Sequence, residues 1–302
     1  MNNPIKNNAS LSGSGDGLIA VVPYSERYHR SLAEMPLSDL VWPLGEPDEL
    51  PGETVADLRP QDHLVLYPRL AVFGRRVAGI RAQFSILFVE PFSFHFYQMW
   101  LTRLFKRRFF RILTSNPTLL ASCPNAEKFV PGGTWVTGWQ DRDCQKTKMV
   151  SLIASRKKSL KGHKLRHRIA DWIRQNGIEA DLMGRGYRAF EDKAEGLAPY
   201  RYSVVIENSR ESGYFTEKII DALLLETVPI YWGAPDIGEY FDTTGMLVCQ
   251  SEADIQQAVR SLTEADYQSR FDAIQRNKRI AAHYADYELA AVSAVRKAAT
   301  GL

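Results

Sequence analysis

Short apolar runs, each a few residues long and cut off by Pro, Gly or charged residues, recur along this chain with helix-patterned stretches between them. LIAVVPY (18–24), HLVLYPRL (63–70), FSILFVEP (84–91) and RILTS (111–115) lie in the first half. MVSLIAS (149–155), EADLMGRG (179–186), YSVVIEN (202–208), VPIYWG (228–233) and MLVCQ (246–250) follow in the second. Runs that are apolar at consecutive positions belong to strands buried on both faces, the condition of a parallel sheet covered by helices. The covering helices are expected at YQMWLTRLFKRRFF (97–110), PTLLASC (117–123), GHKLRHRIADWIRQNG (162–177) and TEKIIDALLLE (216–226). The third of these carries Leu165, Ile169, Trp172 and Ile173 on one face and ends at Gly177. A helix is also expected near 26–35. The stretch from there to about residue 60 has no assignable pattern, and 252–299 reads as Ala-rich helix without chemistry. The fold class is therefore α/β.

The polar stretch TGWQDRDCQKTK (137–148) interrupts this alternation and reads as a linker. Two α/β units on either side of it imply two Rossmann-like domains facing across a cleft, with ligands gathered at the carboxyl ends of the strands. The expected division is a disordered tail (1–17), an N-terminal domain (18–140), a C-terminal domain (149–285) and a C-terminal helix (286–302). The tail is Gly/Ser/Asn-rich and lacks the apolar core of a signal peptide. At 302 residues and 45% hydrophobic, the chain is large enough for two cores. A net charge of +3 does not call for nucleic acid, though it permits a local cluster that holds an anion. Three scattered cysteines, Cys123, Cys144 and Cys249, without CxxC spacing, argue against a disulfide framework or structural zinc and for a reducing compartment. No run of about 18 apolar residues is present, so no membrane span is expected.

The chemistry concentrates in 202–233. A buried strand ends in Glu207-Asn208-Ser209, a loop containing Gly213 follows, and Thr216 stands where a helix N-cap belongs. Free N–H groups and the dipole at a helix start favour an anion, and Lys218 adds a mobile positive charge. Glu217 offers a carboxylate to hydroxyls. Together these suit a diphosphate flanked by a hydroxylated group, although a capped helix with a charged first turn explains the same spacing.

The residues IENS (206–209), YFTEKIIDALL (214–224), TVPIYWGAPDI (227–237) and EYF (239–241) resemble the signature of the family 10 glycosyltransferases, the α-1,3/1,4-fucosyltransferases. Weaker similarity extends over about 18–245 and includes ILFVEP (86–91), SRKKSLKGHKLRHRI (155–169), MGRGY (183–187) and KAEGLAPYRYSVVIEN (193–208). The resemblance implies a GT-B fold, with the donor nucleotide in the C-terminal domain and the acceptor facing the N-terminal one. It implies that Glu217 contacts donor hydroxyls and Lys218 the phosphates, that Asn208, Tyr214 and Thr216 line the same pocket, and that Arg166 grips the diphosphate, with Lys164 and Arg168 as neighbours in register. GRG (184–186) reads as a turn, with Arg185 a further candidate for donor contact. Glu90, at the end of the strand SILFVEP, matches the family's acidic residue and is the candidate base; burial would raise its pKa. The following PFSFHFY departs from the family's loop and puts the acceptor in question.

Other signals carry less. Asp141-Arg142-Asp143 is a DxD in the linker, away from any strand end, and no metal is assigned to it. His163 and His167 have ligand spacing but no third ligand. The segment 99–110 mixes Trp100, Phe105, Phe109 and Phe110 with Arg103, Lys106, Arg107 and Arg108. That composition suits a membrane-surface helix, but a core-packed helix with a basic outer face is the favoured reading. The expectation is an inverting transferase that requires no cofactor, uses a GDP-sugar (GDP-fucose by resemblance), and acts on a glycan of surface-polysaccharide or lipopolysaccharide type, in the cytoplasm and with peripheral membrane contact through 99–110 left open. The same fold with another nucleotide sugar, or a non-catalytic binding module, are the alternatives.

Overall fold

The computed structural model of the chain describes residues 17–27 and 31–301. The expected tail, save Gly17, and part of the helix expected near 26–35 lie outside these residues. Two five-stranded sheets, all parallel, form the frame. The first comprises β1 (Ile19–Val21), β2 (His63–Leu66), β3 (Gln83–Leu87), β4 (Phe109–Thr114) and β5 (Ala126–Lys128), with α1 (Phe92–Leu104) and α2 (Pro117–Ser122) in its crossovers. The second comprises β6 (Lys148–Ile153), β7 (Asp181–Met183), β8 (Tyr200–Ile206), β9 (Val228–Trp232) and β10 (Leu247–Val248). Its helices are α3 (Lys161–Gln175), α4 (Glu217–Leu224), α5 (Glu252–Arg260), α6 (Glu264–Ser269) and α7 (Phe271–Ala282), after which the chain ends in α8 (Tyr287–Thr300).

The two sheets differ in order, and the difference has consequences. The first runs β1-β2-β3-β4-β5, each strand beside its successor. Parallel crossovers keep one hand, so a sequential sheet carries all its connections on one face. There Val22, Leu64, Leu66, Ile86 and Ile112 pack with Met99 and Leu119, and also with Leu32, Leu37, Leu40, Val55 and Leu58. The stretch without an assignable pattern is thus a core layer made of short 3-10 turns, such as Leu32–Glu34, Leu37–Asp39 and Val55–Asp57. The opposite face, with Ile19, Val21, Val65, Leu87 and Leu113, is covered by Ala291, Val292 and Val295 of α8. The Ala-rich terminal segment therefore returns to the first sheet and completes its core.

The second sheet runs β10-β9-β8-β6-β7. Strand order reverses between β6 and β8, and a crevice opens at the carboxyl ends of those two strands, where open α/β sheets bind ligands.

The passage from the first sheet to the second is pinned. Thr134 Oγ1 donates to Asp221 Oδ1 at 2.5 Å and the Trp135 N–H donates to the same oxygen at 3.1 Å. Lys146, in the polar stretch, donates from Nζ to the carbonyls of Ala198 (2.8 Å) and Leu225 (2.6 Å) and to Thr227 Oγ1 (3.1 Å); burial brings its pKa down to about 8.

Two local expectations change. Phe109 and Phe110 start β4 and are not part of the helix before it. The core-packed, basic-faced reading of 99–110 gives way: Met99 and Thr102 turn inward, while Trp100 (58% exposed), Leu104 (60%) and Phe105 (44%) face outward.

Candidate active site

A cavity of about 720 Å³ lies between the two sheets. Glu90, Val89 and Tyr24 come to it from the first sheet's carboxyl ends; Ala154 and Ser155 follow β6, and Asn208 follows β8, on either side of the order reversal. All eight residues singled out in the sequence line this one space: Glu90, Arg166, Arg185, Asn208, Tyr214, Thr216, Glu217 and Lys218.

Arg166 reaches the cavity because α3 begins hard against the end of β8. The Gly162 N–H donates to the Asn208 carbonyl at 3.0 Å, and a Cβ on Gly162 would stand 1.7 Å from the Glu207 carbonyl oxygen. Backbone cannot retreat from such a contact without moving the helix. Gly162→Ala is therefore expected to destabilise the fold by roughly 1–3 kcal/mol and to weaken nucleotide binding; a urea titration with unchanged midpoint would contradict it. Four residues on, Arg166 is buried (6% exposed) and its Nη2 donates to Asn208 Oδ1 at 2.6 Å. Burial lowers its pKa, with Glu207 and Glu217 opposing. It forms no ion pair among the described residues, and its Nε has no hydrogen-bond acceptor there. Its neighbours in register point elsewhere: Lys164 is exposed, and Arg168 pairs with Glu252 at 2.7 Å.

The start of α4 differs from the simple capped helix. Thr216 occupies the N-cap position, but its side chain makes no cap bond. Its N–H donates to Glu207 Oε1 at 2.9 Å and its hydroxyl to Glu207 Oε2 at 2.8 Å. Glu207 is fully buried. Lys218 Nζ completes the group, 3.3 Å from Glu207 Oε2 and donating to Glu217 Oε1 (3.1 Å) and Thr216 Oγ1 (2.8 Å). A carboxylate already takes the N-cap N–H, so attraction for an anion here comes from the cations and less from the helix end. Burial by itself would raise the Glu217 carboxyl; Lys218 and Lys193 overrule it and hold the pKa at about 2. Burial also opposes the charge on Lys218, yet Glu207 and Glu217 keep its pKa above the ordinary value. Glu217 is thus held as a carboxylate, the form that accepts from hydroxyl donors.

On the opposite wall Glu90 is half-buried. Desolvation raises its pKa; Lys218 and Lys157 pull it down and Glu217 and Glu207 push it up, and the net shift is upward. It sits just ahead of α1, whose first N–H, that of Phe92, donates to Glu211 Oε2 at 3.0 Å and ties this wall to the loop before α4. Tyr214 is buried between the walls, and its hydroxyl has no hydrogen-bond partner among the described residues.

Several participants were not proposed as donor-site residues. Glu207 was legible by strand parity, since it shares a face of β8 with Ser203 and Val205, the face on which α4 packs. His163 lines the cavity; it accepts the Leu160 N–H at Nδ1 (3.2 Å), and burial, with Arg166 and Lys157, brings its pKa down to about 4, leaving a neutral ring. His167 faces Tyr187 (2.9 Å) instead, so the two histidines do not converge. Lys157 and Lys193 add positive charge to the wall. Lys193 also pairs at 2.6 Å with buried Asp221, whose pKa burial raises against that pairing. Removing one member of a buried pair costs about 3–5 kcal/mol. Asp221→Ala should lower the denaturation midpoint correspondingly and free the Thr134–Trp135 crossing segment; retention of wild-type stability would deny Asp221 this role. Asp141 and Asp143 are exposed and away from the cavity, and no cluster of three His, Cys, Asp or Glu suited to a metal occurs among the described residues.

Comparison with known proteins agrees with this layout. Residues 144–267, which hold β6 to α5, the first part of α6 and most of the cavity wall, match the family model for glycosyltransferase family 10 (fucosyltransferase), C-terminal part. An α-(1,3)-fucosyltransferase of Helicobacter pylori is 44% identical over 57 residues, which cover 19% of this chain and 12% of that protein. Among solved structures, TarM superposes with a TM-score of 0.50 at 9% identity, over 79% of this chain and 55% of that one. An α1,3-fucosyltransferase solved with GDP-fucose gives 0.45 at 16% identity, over 80% and 82%. The two facing parallel-sheet units have the GT-B arrangement. Over residues 144–267 the chain is similar to the C-terminal part of the family 10 glycosyltransferases.

Proposed function

We propose that this protein is an inverting glycosyltransferase that moves fucose from GDP-fucose to a hydroxyl of a glycan of surface-polysaccharide or lipopolysaccharide type, with α-1,3 or α-1,4 linkage and without a metal. The observation that carries the reading is the convergence of Arg166, Lys218, Glu217 and Glu90 on one cavity at the strand-order reversal, where the buried Nε of Arg166 and the Tyr214 hydroxyl have no hydrogen-bond partner among the described residues. A buried guanidinium without a counter-carboxylate is costly unless an anion reaches it. The family description and the Helicobacter relative support a fucosyl donor, and the residues of the cavity support diphosphate and hydroxyl binding.

In this reading Arg166 and Lys218 hold the diphosphate by charge-assisted hydrogen bonds. Glu217 accepts hydroxyls of the ribose or sugar. The acceptor hydroxyl oxygen attacks the anomeric carbon from the face opposite the diphosphate. The new carbon–oxygen bond forms as the bond to the β-phosphate oxygen breaks, and that oxygen keeps the electron pair. Glu90 takes the hydroxyl proton. Its raised pKa makes it a stronger acceptor than an ordinary carboxylate, and a positioned base contributes about 10²–10⁴-fold. The test is GDP release and product formation from GDP-fucose with a panel of glycan acceptors. Turnover restricted to GDP-fucose supports the reading. Turnover with UDP- or CMP-sugars alone overturns the donor, and none with any nucleotide sugar overturns the activity.

A further inference from the structure

Among the described residues, nothing covers an aromatic stripe on helix α1. Its backbone departs from helical geometry at His95, and beyond that point Tyr97 (71% exposed), Trp100 (58%) and Leu104 (60%) project outward at three- and four-residue spacing, with Phe96 (52%) beside them. His95, Met99 and Thr102 fill the inward face. Exposed apolar side chains in such a row mark a contact surface.

Charge identifies the partner. Residues 63–126 contain nine Lys and Arg and a single acidic residue, Glu90, in a chain whose net charge is only +3. Arg103, Arg107 and Arg108, at the end of the aromatic stripe, are exposed, as are Arg75 and Arg76 in the same acid-poor region. A second copy of the chain docked stripe to stripe would bring like charges together, which disfavours self-association through this face. An anionic bilayer satisfies both features, because aromatic rings settle at the headgroup level and Arg and Lys are drawn to anionic lipid.

We infer that α1 is a membrane-docking helix that seats Phe96, Tyr97, Trp100 and Leu104 in the interface of an anionic phospholipid surface. Glu90 lies two residues ahead of α1, so docking brings the Glu90 side of the cavity to the bilayer and matches it to a hydroxyl on a lipid-anchored glycan. The acceptor half of this inference rests on the transferase reading; the docking half does not.

The experiment is co-sedimentation of the full chain with vesicles of equal parts phosphatidylcholine and phosphatidylglycerol, against phosphatidylcholine alone. The variants are Tyr97→Ser/Trp100→Ser/Leu104→Ser and Arg107→Ser/Arg108→Ser, which alter exposed side chains, with thermal melts to verify the fold. Wild type should bind the anionic vesicles, losing affinity with salt, and each variant should bind about tenfold more weakly or worse. No binding by wild type, or equal binding by the variants, overturns docking. So does a concentration-dependent dimer, seen by sedimentation velocity, that the aromatic variant abolishes while vesicle binding persists. GDP titration of the same samples reports on the donor site alone, so failure there strikes the transferase reading without touching the membrane result.

Discussion

Glu90→Gln should reduce transfer by roughly 10²–10⁴-fold while leaving GDP affinity nearly intact. The substitution keeps the size of the side chain and its place beside α1, and removes the capacity to take a proton together with one half-exposed negative charge. Glu90 also has a signature in pH. Desolvation lifts its carboxyl above the ordinary carboxylate range, and the base form is the deprotonated one. Turnover should therefore fall as pH drops through that raised value, giving an acid limb above the usual carboxylate region. Turnover slowed by that factor with nearly intact GDP binding is the expected pair of results, read by a rate assay beside calorimetry. Wild-type turnover in the variant would remove Glu90 from the chemistry.

Arg166→Met should act on the other half of the site. The thioether side chain fills much of the same buried space but carries no charge and no donor. Losing charge-assisted hydrogen bonds worth about 1.5–3 kcal/mol lowers GDP affinity about ten- to a hundredfold. Arg166 is a cleaner probe than Lys218. Removing Lys218 leaves Glu207 and Glu217 facing each other without their shared cation, at 3.3 and 3.1 Å from its Nζ, and would mix a stability loss into the binding loss. Unchanged GDP affinity in the Arg166 variant would mean that the phosphates lie elsewhere.

Much of this site was readable in one dimension because it is built from strand ends and helix starts. Apolar runs located β3, β6 and β8, and polar residues immediately beyond such runs, Glu90 and Asn208, reach the cavity. Arg166 could not be separated from Lys164 and Arg168 by pattern alone, since the choice depends on which side of α3 passes the end of β8, and Gly162 sets that. Thr216 was placed correctly, but its partner was not: sequence shows a residue's capacity to cap, whereas the carboxylate of Glu207, arriving from β8, decides what the N–H binds. The order of the strands is a tertiary property, so neither the sequential first sheet nor the need for α8 to cover its second face could be read locally. The stripe of α1 misled for a related reason. Helical periodicity of aromatics marks a face that wants cover, and whether that cover is core, partner or lipid is set by what packs beside it.

The central claim, that the crevice between β6 and β8 is a nucleotide-sugar diphosphate site, is tested most directly by calorimetric titration of GDP, UDP and CMP into the wild-type chain and into Arg166→Met. Saturable binding of GDP in preference to the other two, weakened in the variant, is the result this account predicts. Absence of nucleotide binding, or binding that the variant leaves unaltered, would contradict it.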